Sequence, residues 1–263
     1  MKQARSTTLL APPVLPPLDR LALFADLDGT LAPIEATPEA VGPDAARRRL
    51  IDGLIAALSG RFAVVSGRRL ADIDRVLEGR VAAVAGAHGL ERRDSAGRII
   101  TVCAGPAILD ALALLHAFAE TRSGLIVEDK GRLAVALHFR LSPAERGACR
   151  IVAQSLARDL GLEVQEGDMV VELRVPGPDK GGAVRAFMAE PPFAGHIPVF
   201  IGDDLTDERG FEAAAVLGGF GVIVGARRPT TADYAVADVA AAMRWLNEAF
   251  AAPRGNQRRT RSL

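Results

Sequence analysis

Short apolar runs alternate with longer helical stretches along much of the chain, and this rhythm constrains the fold more than any other feature. The runs are rich in Val, Ile, Phe and Ala, and each ends abruptly in a polar residue or glycine. They occupy residues 21–25, 62–65, 81–85, 197–201 and 220–224. Continuously apolar strands that alternate with helices are typical of a parallel sheet covered on both faces. The sequence therefore predicts an α/β fold with a parallel-sheet core.

The rhythm changes between residues 105 and 177. A helical stretch and two strand-like runs occur here twice in succession, at 107–122, 125–130 and 133–140 and again at 143–160, 162–166 and 169–175. Two helix–strand–strand units predict a small antiparallel sheet with its helices on one face. Because parallel-type strands resume at 197, we expect an inserted domain within a core. The predicted division is an irregular N-terminal tail (1–19), a core (20–104 and 178–250), the insertion (105–177) and a basic C-terminal tail (251–263).

Composition excludes several classes of protein. The 263 residues carry 32 basic and 32 acidic side chains, so the basic excess of a nucleic-acid-binding protein is missing. The two cysteines, Cys103 and Cys149, lack the spacing of a disulfide framework or a thiolate zinc site. No stretch approaches the length of apolar sequence that a membrane span needs, and prolines interrupt the N-terminal apolar residues. These features predict a cytoplasmic protein with neither nucleic acid nor membrane as partner.

Carboxylates follow two of the predicted strands. Asp26 and Asp28 come directly after the run at 21–25, and a second acidic cluster, Asp203, Asp204, Asp207 and Glu208, follows the run at 197–201. Concentrated carboxylates repel one another, and a hard divalent cation with oxygen ligands, Mg²⁺ by preference, offsets that repulsion. A carboxylate can also attack phosphorus and form an aspartyl phosphate. Asp26 is the candidate nucleophile, and Asp28 is the candidate acid/base that protonates the leaving sugar oxygen and then activates water.

Donors for phosphate oxygens lie between the two acidic strand ends. Ser66 follows the run at 62–65, where its hydroxyl and the nearby amides could bind one oxygen. Lys180 opens a helical stretch that extends to about residue 190 and could supply a point charge. Each motif by itself is a common turn or helix entry. Their order along the chain is what favours a phosphate site.

The strands of the insertion have one apolar and one polar face. Alternation places Val127, Leu133, Val135, Leu137, Phe139, Val171, Leu173 and Val175 on the buried face. The opposite face carries Glu128, Lys130, His138, Arg140, Glu172 and Arg174. This polar face is either the solvated side of an antiparallel sheet or a surface turned towards a polyhydroxylated ligand.

The ordered motifs resemble those of the haloacid dehalogenase (HAD) superfamily of phosphatases, and within it the trehalose-6-phosphate phosphatases. The residues that carry the resemblance are Asp26-Leu27-Asp28-Gly29-Thr30-Leu31-Ala32-Pro33-Ile34, Ser66-Gly67-Arg68, Gly86-Ala87-His88-Gly89-Leu90-Glu91, Val127-Glu128-Asp129-Lys130, Leu137-His138-Phe139-Arg140, Val171-Glu172-Leu173-Arg174 and Gly202 to Glu208. The resemblance spans roughly residues 20 to 248. The first motif is specific to the superfamily, whereas the complete ordered set is specific to the branch.

The resemblance implies a Rossmann-like core of the HAD fold, interrupted by a mobile α+β cap of antiparallel sheet and two helices. Asp26 would be the phosphorylated nucleophile and a ligand of Mg²⁺, Asp28 would offer its backbone carbonyl to that ion, and Asp203 would be the third ligand. Ser66 and Lys180 would hold the phosphoryl group. The cap residues Glu128, Lys130 and Glu172 would recognise the sugar hydroxyls, which favours the ligand-facing interpretation of the polar face. Residues in possible supporting roles are Thr30, Arg68, His88, Arg140, Asp204 and Asp207.

The function that the resemblance implies is Mg²⁺-dependent hydrolysis of trehalose 6-phosphate to trehalose and phosphate, with a possible functional pairing with a synthase of that substrate. Two alternatives stay open. One is a phosphatase of the same superfamily for another sugar phosphate. The other is a catalytically silent sugar-phosphate sensor or synthase partner. Asp26, Asp28, Lys180 and Asp203 are all present, which favours an enzyme.

Overall fold

The computed structural model describes residues 11–12, 15–103, 105–227 and 229–251. Within these ranges the strands form an eight-stranded and a four-stranded sheet. The large sheet has the spatial order β12-β11-β10-β1-β2-β3-β4-β5. Its strands are β1 (Leu21–Ala25), β2 (Phe62–Val65), β3 (Ala83–Gly86), β4 (Glu91–Arg93), β5 (Ile99–Thr101), β10 (Ile197–Gly202), β11 (Phe220–Val224) and β12 (Tyr234–Val236). Pairing is parallel from β12 to β3 and antiparallel at β4 and β5.

The small sheet is antiparallel throughout, in the order β6-β7-β9-β8. Its strands are β6 (Ile126–Asp129), β7 (Ala134–His138), β8 (Glu163–Gly167) and β9 (Val170–Arg174). The α-helices along the chain are α1 (Ala45–Leu58), α2 (Leu70–Leu77), α3 (Ala107–Glu120), α4 (Arg146–Leu160), α5 (Lys180–Met188), α6 (Glu208–Val216) and α7 (Val239–Ala251). Helices α3 and α4 contact the strands of the small sheet. The chain is therefore an α/β core with an inserted α+β cap, as the sequence predicts.

Alternate residues of β1 enter two different hydrophobic clusters. Leu21 and Leu23 belong to the cluster that includes residues of α1, α2 and α7, whereas Ala22 and Phe24 belong to the cluster with residues of α5 and α6. Side chains on a strand point to opposite faces in turn, so a strand covered on both faces has to be apolar at every position. All five residues of β1 are buried. This double burial explains why the core strands are continuous apolar runs.

The predicted elements match the structure closely. Strands β1, β2 and β11 have the predicted bounds, and the helix predicted at 143–160 is a short 3₁₀ turn followed by α4. The sequence did not indicate β4, β5 or β12, which are three residues long and therefore lack the length of an apolar run. The polar face of the cap is not simply solvated, because Lys130, Glu172 and Arg174 are buried.

The domain bounds stay a prediction, although every strand of the small sheet falls within 105–177. In the predicted N-terminal tail, Leu15 is buried in the hydrophobic cluster that includes residues of α1, α2 and α7. The backbone carbonyl of Leu18 accepts a hydrogen bond from Arg61. The rest of that tail at 1–10, 13 and 14, and the basic C-terminal tail from 252 onwards, lie outside the described residues. Within the described part of the chain, no helix combines the length and apolarity needed to cross a bilayer.

We predict that Phe193→Ala destabilises the core by about 3 to 5 kcal/mol, because the substitution removes a fully buried ring and leaves a cavity. The ring of Phe193 lies 5.4 Å from that of Phe24 and 5.3 Å from that of Phe187, measured between centroids. Urea unfolding measures the loss. Ile151→Ala on α4 is the control, since Ile151 is 71% exposed and its truncation should cost less than about 0.5 kcal/mol. Equal losses in the two variants would contradict the packing described.

Candidate active site

The predicted site residues meet at one edge of the large sheet. Strands β2, β1 and β10 are neighbours and run parallel, so their carboxyl ends lie side by side. Asp26 follows β1, Ser66 follows β2, and Asp203 follows β10. The backbone N–H of Asp26 donates to the carbonyl of Ile201, 2.9 Å away, which ties the first acidic loop to β10. The strand order thus brings residues that are far apart in the sequence into one cluster.

The turn after β1 depends on Gly29. Its φ of 74° lies in the left-handed region, which glycine adopts without strain. A Cβ atom at this position would also collide with the carboxylate of Asp203. Gly29 therefore lets the two acidic loops approach each other. Thr30 next to it is completely buried, and its Oγ1 has no hydrogen-bond partner among the described residues.

Three carboxylates share this space. Oxygen atoms of Asp26, Asp203 and Asp207 lie within 4.8 Å of one another. Burial and the charge of Asp207 raise the pKa of Asp26 well above its ordinary value. The same two causes raise the pKa of Asp203 to about 8. Without a further cation, the cluster therefore favours proton uptake over full ionisation.

Lys180 supplies positive charge to this cluster. It is the first residue of α5, which begins where the N-cap Asp179 accepts a hydrogen bond from the N–H of Gly182. The ammonium group of Lys180 lies 2.6 Å from Asp207 Oδ1 and 3.1 Å from Asp26 Oδ1. Burial opposes its charge, but the two carboxylates outweigh burial and raise the pKa of Lys180 above its usual value. Lys180 is therefore a permanent cation beside Asp26.

Asp207 is a structural member of the cluster. Its Oδ1 accepts from Lys180, and its Oδ2 accepts from the backbone N–H groups of Asp203 and Asp204, each at 3.0 Å. Both of its oxygens are thus engaged by the protein. By contrast, Asp203 Oδ1 is buried and has no hydrogen-bond partner among the described residues. A buried oxygen without a donor is suited to a cation, so Asp203 fits the role of metal ligand better than Asp207 does.

The side chain of Asp28 is held by Arg68. The guanidinium group donates to both carboxylate oxygens, at 2.6 and 2.8 Å, and a third nitrogen donates to the carbonyl of Pro38 at 2.7 Å. Arg68 was predicted only as a supporting residue. The carboxylate of Asp28 therefore lies outside the group formed by Asp26, Asp203 and Asp207, and its expected carbonyl contact to a metal stays a prediction. Ser66 is buried, and its Oγ accepts from the N–H of Arg68 at 3.2 Å.

His88 connects the core to the cap. It lies in a turn with a φ of 55°, and a Cβ atom on Gly67 would be 2.5 Å from the imidazole ring. Its Nε2 is 3.7 Å from Glu172 Oε2 on the cap, while Lys130 donates a hydrogen bond to the same carboxylate oxygen. Burial lowers the pKa of His88 to about 4, although Glu172 acts in the opposite direction. His88 is therefore neutral at physiological pH.

The register of the small sheet explains how its charged groups come together. Ala136 on β7 pairs with Glu128 on one side and with Glu172 on the other, so these three side chains share one face. The small side chain of Ala136 leaves room between the two carboxylates. Glu128 Oε2 is 2.8 Å from Nε2 of His138. The bonds to His138 and the charge of Lys130 lower the pKa of Glu128 despite its burial, so Glu128 is an anion.

A cavity of about 510 Å³ separates the two sheets, within the size range of small-molecule sites. Its lining includes the predicted core residues Asp26, Asp28, Ser66, Arg68, His88, Lys180, Asp203 and Asp204 and the cap residues Glu128, Lys130 and Arg140. Arg140 is exposed and pairs with Asp168 at 2.9 Å. Glu172 lies behind the lining, bound to Lys130. The structure thus brings nearly all of the sequence-predicted residues around one space.

Arg227 is a residue of the site that the sequence did not indicate. Its guanidinium group donates to the backbone carbonyls of Asp203 and Asp204, at 3.2 and 3.1 Å, and to the carboxylate of Glu208. Glu208 also accepts from the N–H and hydroxyl of Thr231, each at 2.6 Å. Arg227 therefore fixes the loop that carries Asp203. No motif surrounds it in the sequence, so only the fold reveals this contact.

We predict that His88 makes the protein less stable as the pH falls. An unfolded histidine takes up a proton near pH 6.5, whereas folded His88 does so only near pH 4. The unfolded state binds more protons between these values, so the wild type should lose about 2 kcal/mol relative to His88→Asn between pH 8 and pH 5. Urea unfolding at several pH values measures this difference, with His116→Asn on the exposed side of α3 as the control. An unchanged difference across the range would contradict the buried, neutral state of His88.

Comparison with solved structures identifies the fold class. The phosphatase BT1666 from Bacteroides thetaiotaomicron, of the HAD enzyme superfamily, superposes with a TM-score of 0.57 at 17% identity, over 88% of this chain and 95% of that chain. The C-terminal domain of trehalose-6-phosphate phosphatase from C. albicans superposes with a TM-score of 0.78 at 20% identity, over 89% and 92%. These likenesses show the fold. This chain shares that fold, and it carries carboxylates at the ends of two neighbouring strands, β1 and β10.

The sequence comparisons identify the family. The family pattern described as Trehalose-phosphatase matches residues 24–240. Trehalose-6-phosphate phosphatase of Escherichia coli (strain K12) is 39% identical over 233 residues, 86% of this chain and 85% of the relative. A probable trehalose-phosphate phosphatase of Sinorhizobium fredii (strain NBRC 101917 / NGR234) is 36% identical over 236 residues, 89% of each chain. The chain belongs to the trehalose-phosphatase family.

Proposed function

We propose that this chain hydrolyses trehalose 6-phosphate to trehalose and inorganic phosphate. The observation that carries the proposal is the single cavity that joins the buried Asp26 to the polar face of the cap. Asp26 with its neighbours suits phosphoryl transfer, and the cap face presents charged groups that suit a sugar rich in hydroxyls. The relatives from Escherichia coli and Sinorhizobium fredii are named for the same substrate, which supports this proposal.

We propose Mg²⁺ as the metal of this site. The candidate ligands are carboxylate oxygens, which this ion prefers, and Asp203 Oδ1 is buried without a hydrogen-bond donor in the part of the chain that the structure describes. Asp26 and Asp203 would hold the ion through their side chains, and Asp28 through its backbone carbonyl. When bound, Mg²⁺ supplies positive charge that offsets the repulsion between the carboxylates and a phosphate dianion. The raised pKa values of Asp26 and Asp203 reflect the same need for positive charge.

In the proposed hydrolysis each side chain of the site has a separate role. An Asp26 oxygen forms a bond to phosphorus while the bond from phosphorus to the sugar oxygen breaks, which gives an aspartyl phosphate and free trehalose. Asp28 gives a proton to the departing sugar oxygen. Asp28 then takes a proton from water as the water attacks phosphorus, and Asp26 is released with inorganic phosphate. Ser66 and Lys180 hold the phosphoryl oxygens through both steps.

The cap would select the sugar. Glu128 is an anion whose carboxylate can accept hydrogen bonds from hydroxyl groups, and Lys130 can donate to them. Neutral His88 contributes a ring nitrogen, Nδ1, which is buried and without a partner among the described residues. Closure of this face over the core excludes bulk water from the phosphoryl transfer. The contact between Glu172 and His88 is one of those that a closed cap makes.

We predict that trehalose 6-phosphate releases phosphate fastest among a panel of sugar phosphates, and that a chelator abolishes release until Mg²⁺ is restored. A colorimetric phosphate assay measures both effects. Turnover of another sugar phosphate with none of trehalose 6-phosphate would support a different sugar-phosphate phosphatase. Binding without any turnover would support the sensor. Full activity in the presence of the chelator would contradict the metal-assisted mechanism.

We predict that Glu128→Ala lowers kcat/KM for trehalose 6-phosphate by about 10- to 100-fold, because it removes a charged acceptor of sugar hydroxyls. Hydrolysis of p-nitrophenyl phosphate, which lacks those hydroxyls, should change less than about threefold. Steady-state kinetics on both substrates measures the contrast. Glu120→Ala, an exposed residue at the end of α3, is the control. Equal losses on the two substrates would mean that Glu128 does not recognise the sugar.

Two further parts of the sequence-based prediction belong to this proposal. We also propose a functional pairing with a synthase of trehalose 6-phosphate, because the proposed activity consumes that compound. The cytoplasmic location stays a prediction from the composition.

A further inference from the structure

One wall of the cavity is a segment with little regular structure. Residues 34–41 lie between the acidic loop after β1 and the start of α1, and a 3₁₀ turn at Pro38–Ala40 is the secondary structure assigned within them. The cavity lining includes Ile34, Glu35, Thr37, Pro38, Glu39 and Val41. We refer to residues 34–41 as the 34–41 wall. The predicted site residues include none of them, and the mechanism above does not use them.

Three arginines from different elements hold this segment. Arg68 after β2 donates to the carbonyl of Pro38 at 2.7 Å, and Arg75 in α2 donates to the carbonyl of Val41 at 3.0 Å. Arg47 in α1 donates to the carbonyl of Gly42, directly after the wall. Hydrogen bonds from a charged donor are stronger than those between neutral groups. The side chain of Val41, at the end of the wall, is also buried in the core. Hydrogen bonds to the backbone and the packing of this one side chain therefore both hold the wall in position.

The wall lies next to Asp28, the residue proposed to protonate the departing sugar oxygen. Arg68 joins Asp28 and the carbonyl of Pro38 through one guanidinium group. A substrate whose leaving oxygen takes a proton from Asp28 therefore carries the rest of its sugar along the wall. Ile34 on the wall and Ile126 and Leu141 on the cap are largely exposed apolar side chains that all line the cavity. Glu35 and Glu39 add carboxylates beside Ile34. Apolar side chains next to carboxylates suit a sugar ring, which has apolar faces and hydroxyl edges.

We propose that the 34–41 wall recognises the leaving sugar, and that Arg75 is a positioning residue that keeps the wall in place. The proposal rests on the proposed function, because it assigns this wall to the sugar released from a sugar phosphate. Among the described residues, Arg75 is not part of the cavity lining, and its side chain donates to the backbone carbonyl of Val41. Its loss should therefore affect binding of the sugar and leave the chemistry at Asp26 unchanged.

The test compares Arg75→Met, Arg75→Lys and Arg80→Met with the wild type. Met keeps the length of the side chain and removes the donor, while Lys restores a donor. Arg80 follows α2 and pairs with Asp52 at 2.7 Å, so Arg80→Met removes a surface arginine without touching the wall. We expect Arg75→Met to raise KM for trehalose 6-phosphate by about three- to tenfold with kcat within about twofold. KM for p-nitrophenyl phosphate should not change. Arg75→Lys should recover most of the loss, and Arg80→Met should match the wild type.

The outcomes separate this proposal from the proposed function. No turnover of trehalose 6-phosphate by the wild type would overturn the proposed function, and the variants would then be compared on the sugar phosphate that the wild type hydrolyses best. An unchanged KM for that substrate in Arg75→Met would overturn the role of the wall. Equal effects of Arg75→Met on the sugar phosphate and on p-nitrophenyl phosphate would also overturn it, as would a wild type that hydrolyses no sugar phosphate. A raised KM confined to the sugar phosphate would support it.

Discussion

Three carboxylates, two of them buried and one half-buried, crowd together at the edge of a parallel sheet, and the arrangement around them follows from that crowding. Asp26, Asp203 and Asp207 approach one another within 4.8 Å, and the ammonium group of Lys180 lies against two of them. Like charges in a poorly hydrated site repel strongly. The protein offsets part of this repulsion at Asp207, whose two oxygens accept hydrogen bonds from Lys180 and from the N–H groups of Asp203 and Asp204. The charges of Asp26 and Asp203 are the ones that a bound cation would still offset. The carboxylates of such a site suit a divalent cation, and the ammonium group beside them suits a phosphate.

The inserted cap completes the site by a different physical means. Its apolar face is buried with α3 and α4, so the alternation of its strands turns the charged residues towards the core. The charged groups on that face have partners before any substrate arrives: Lys130 pairs with Glu172, and Glu128 is hydrogen-bonded to His138. Groups that are already oriented lose little freedom on binding. In the proposed function, the core would provide chemistry that any phosphoester could use, whereas the cap and the 34–41 wall would provide the selectivity.

Local sequence predicted much of this arrangement, and its limits have a physical cause. Strand β1 can be predicted from the sequence because both of its faces are buried, so all five of its residues are apolar. The place of Asp26 in a site can be predicted because parallel strands bring their carboxyl ends together. Arg227 was missed because its partners lie about 20 residues away along the chain and depend on how one loop packs on another. Asp207 was noted as acidic, but its bond to Lys180 could not be read from spacing. Contacts between distant segments are properties of the fold, which a single sequence does not display.

In the proposed mechanism Asp26 carries the phosphoryl group, and chemical trapping can identify the residue that does so. The protein is mixed with trehalose 6-phosphate and Mg²⁺, quenched in acid within the first turnover, and treated with borohydride, which reduces an acyl phosphate to an alcohol. Peptide mass spectrometry then locates the modified residue. We expect homoserine at position 26, and none in a parallel sample of Asp26→Asn. Reduction at another carboxylate, or turnover without any trapped residue, would contradict the claim.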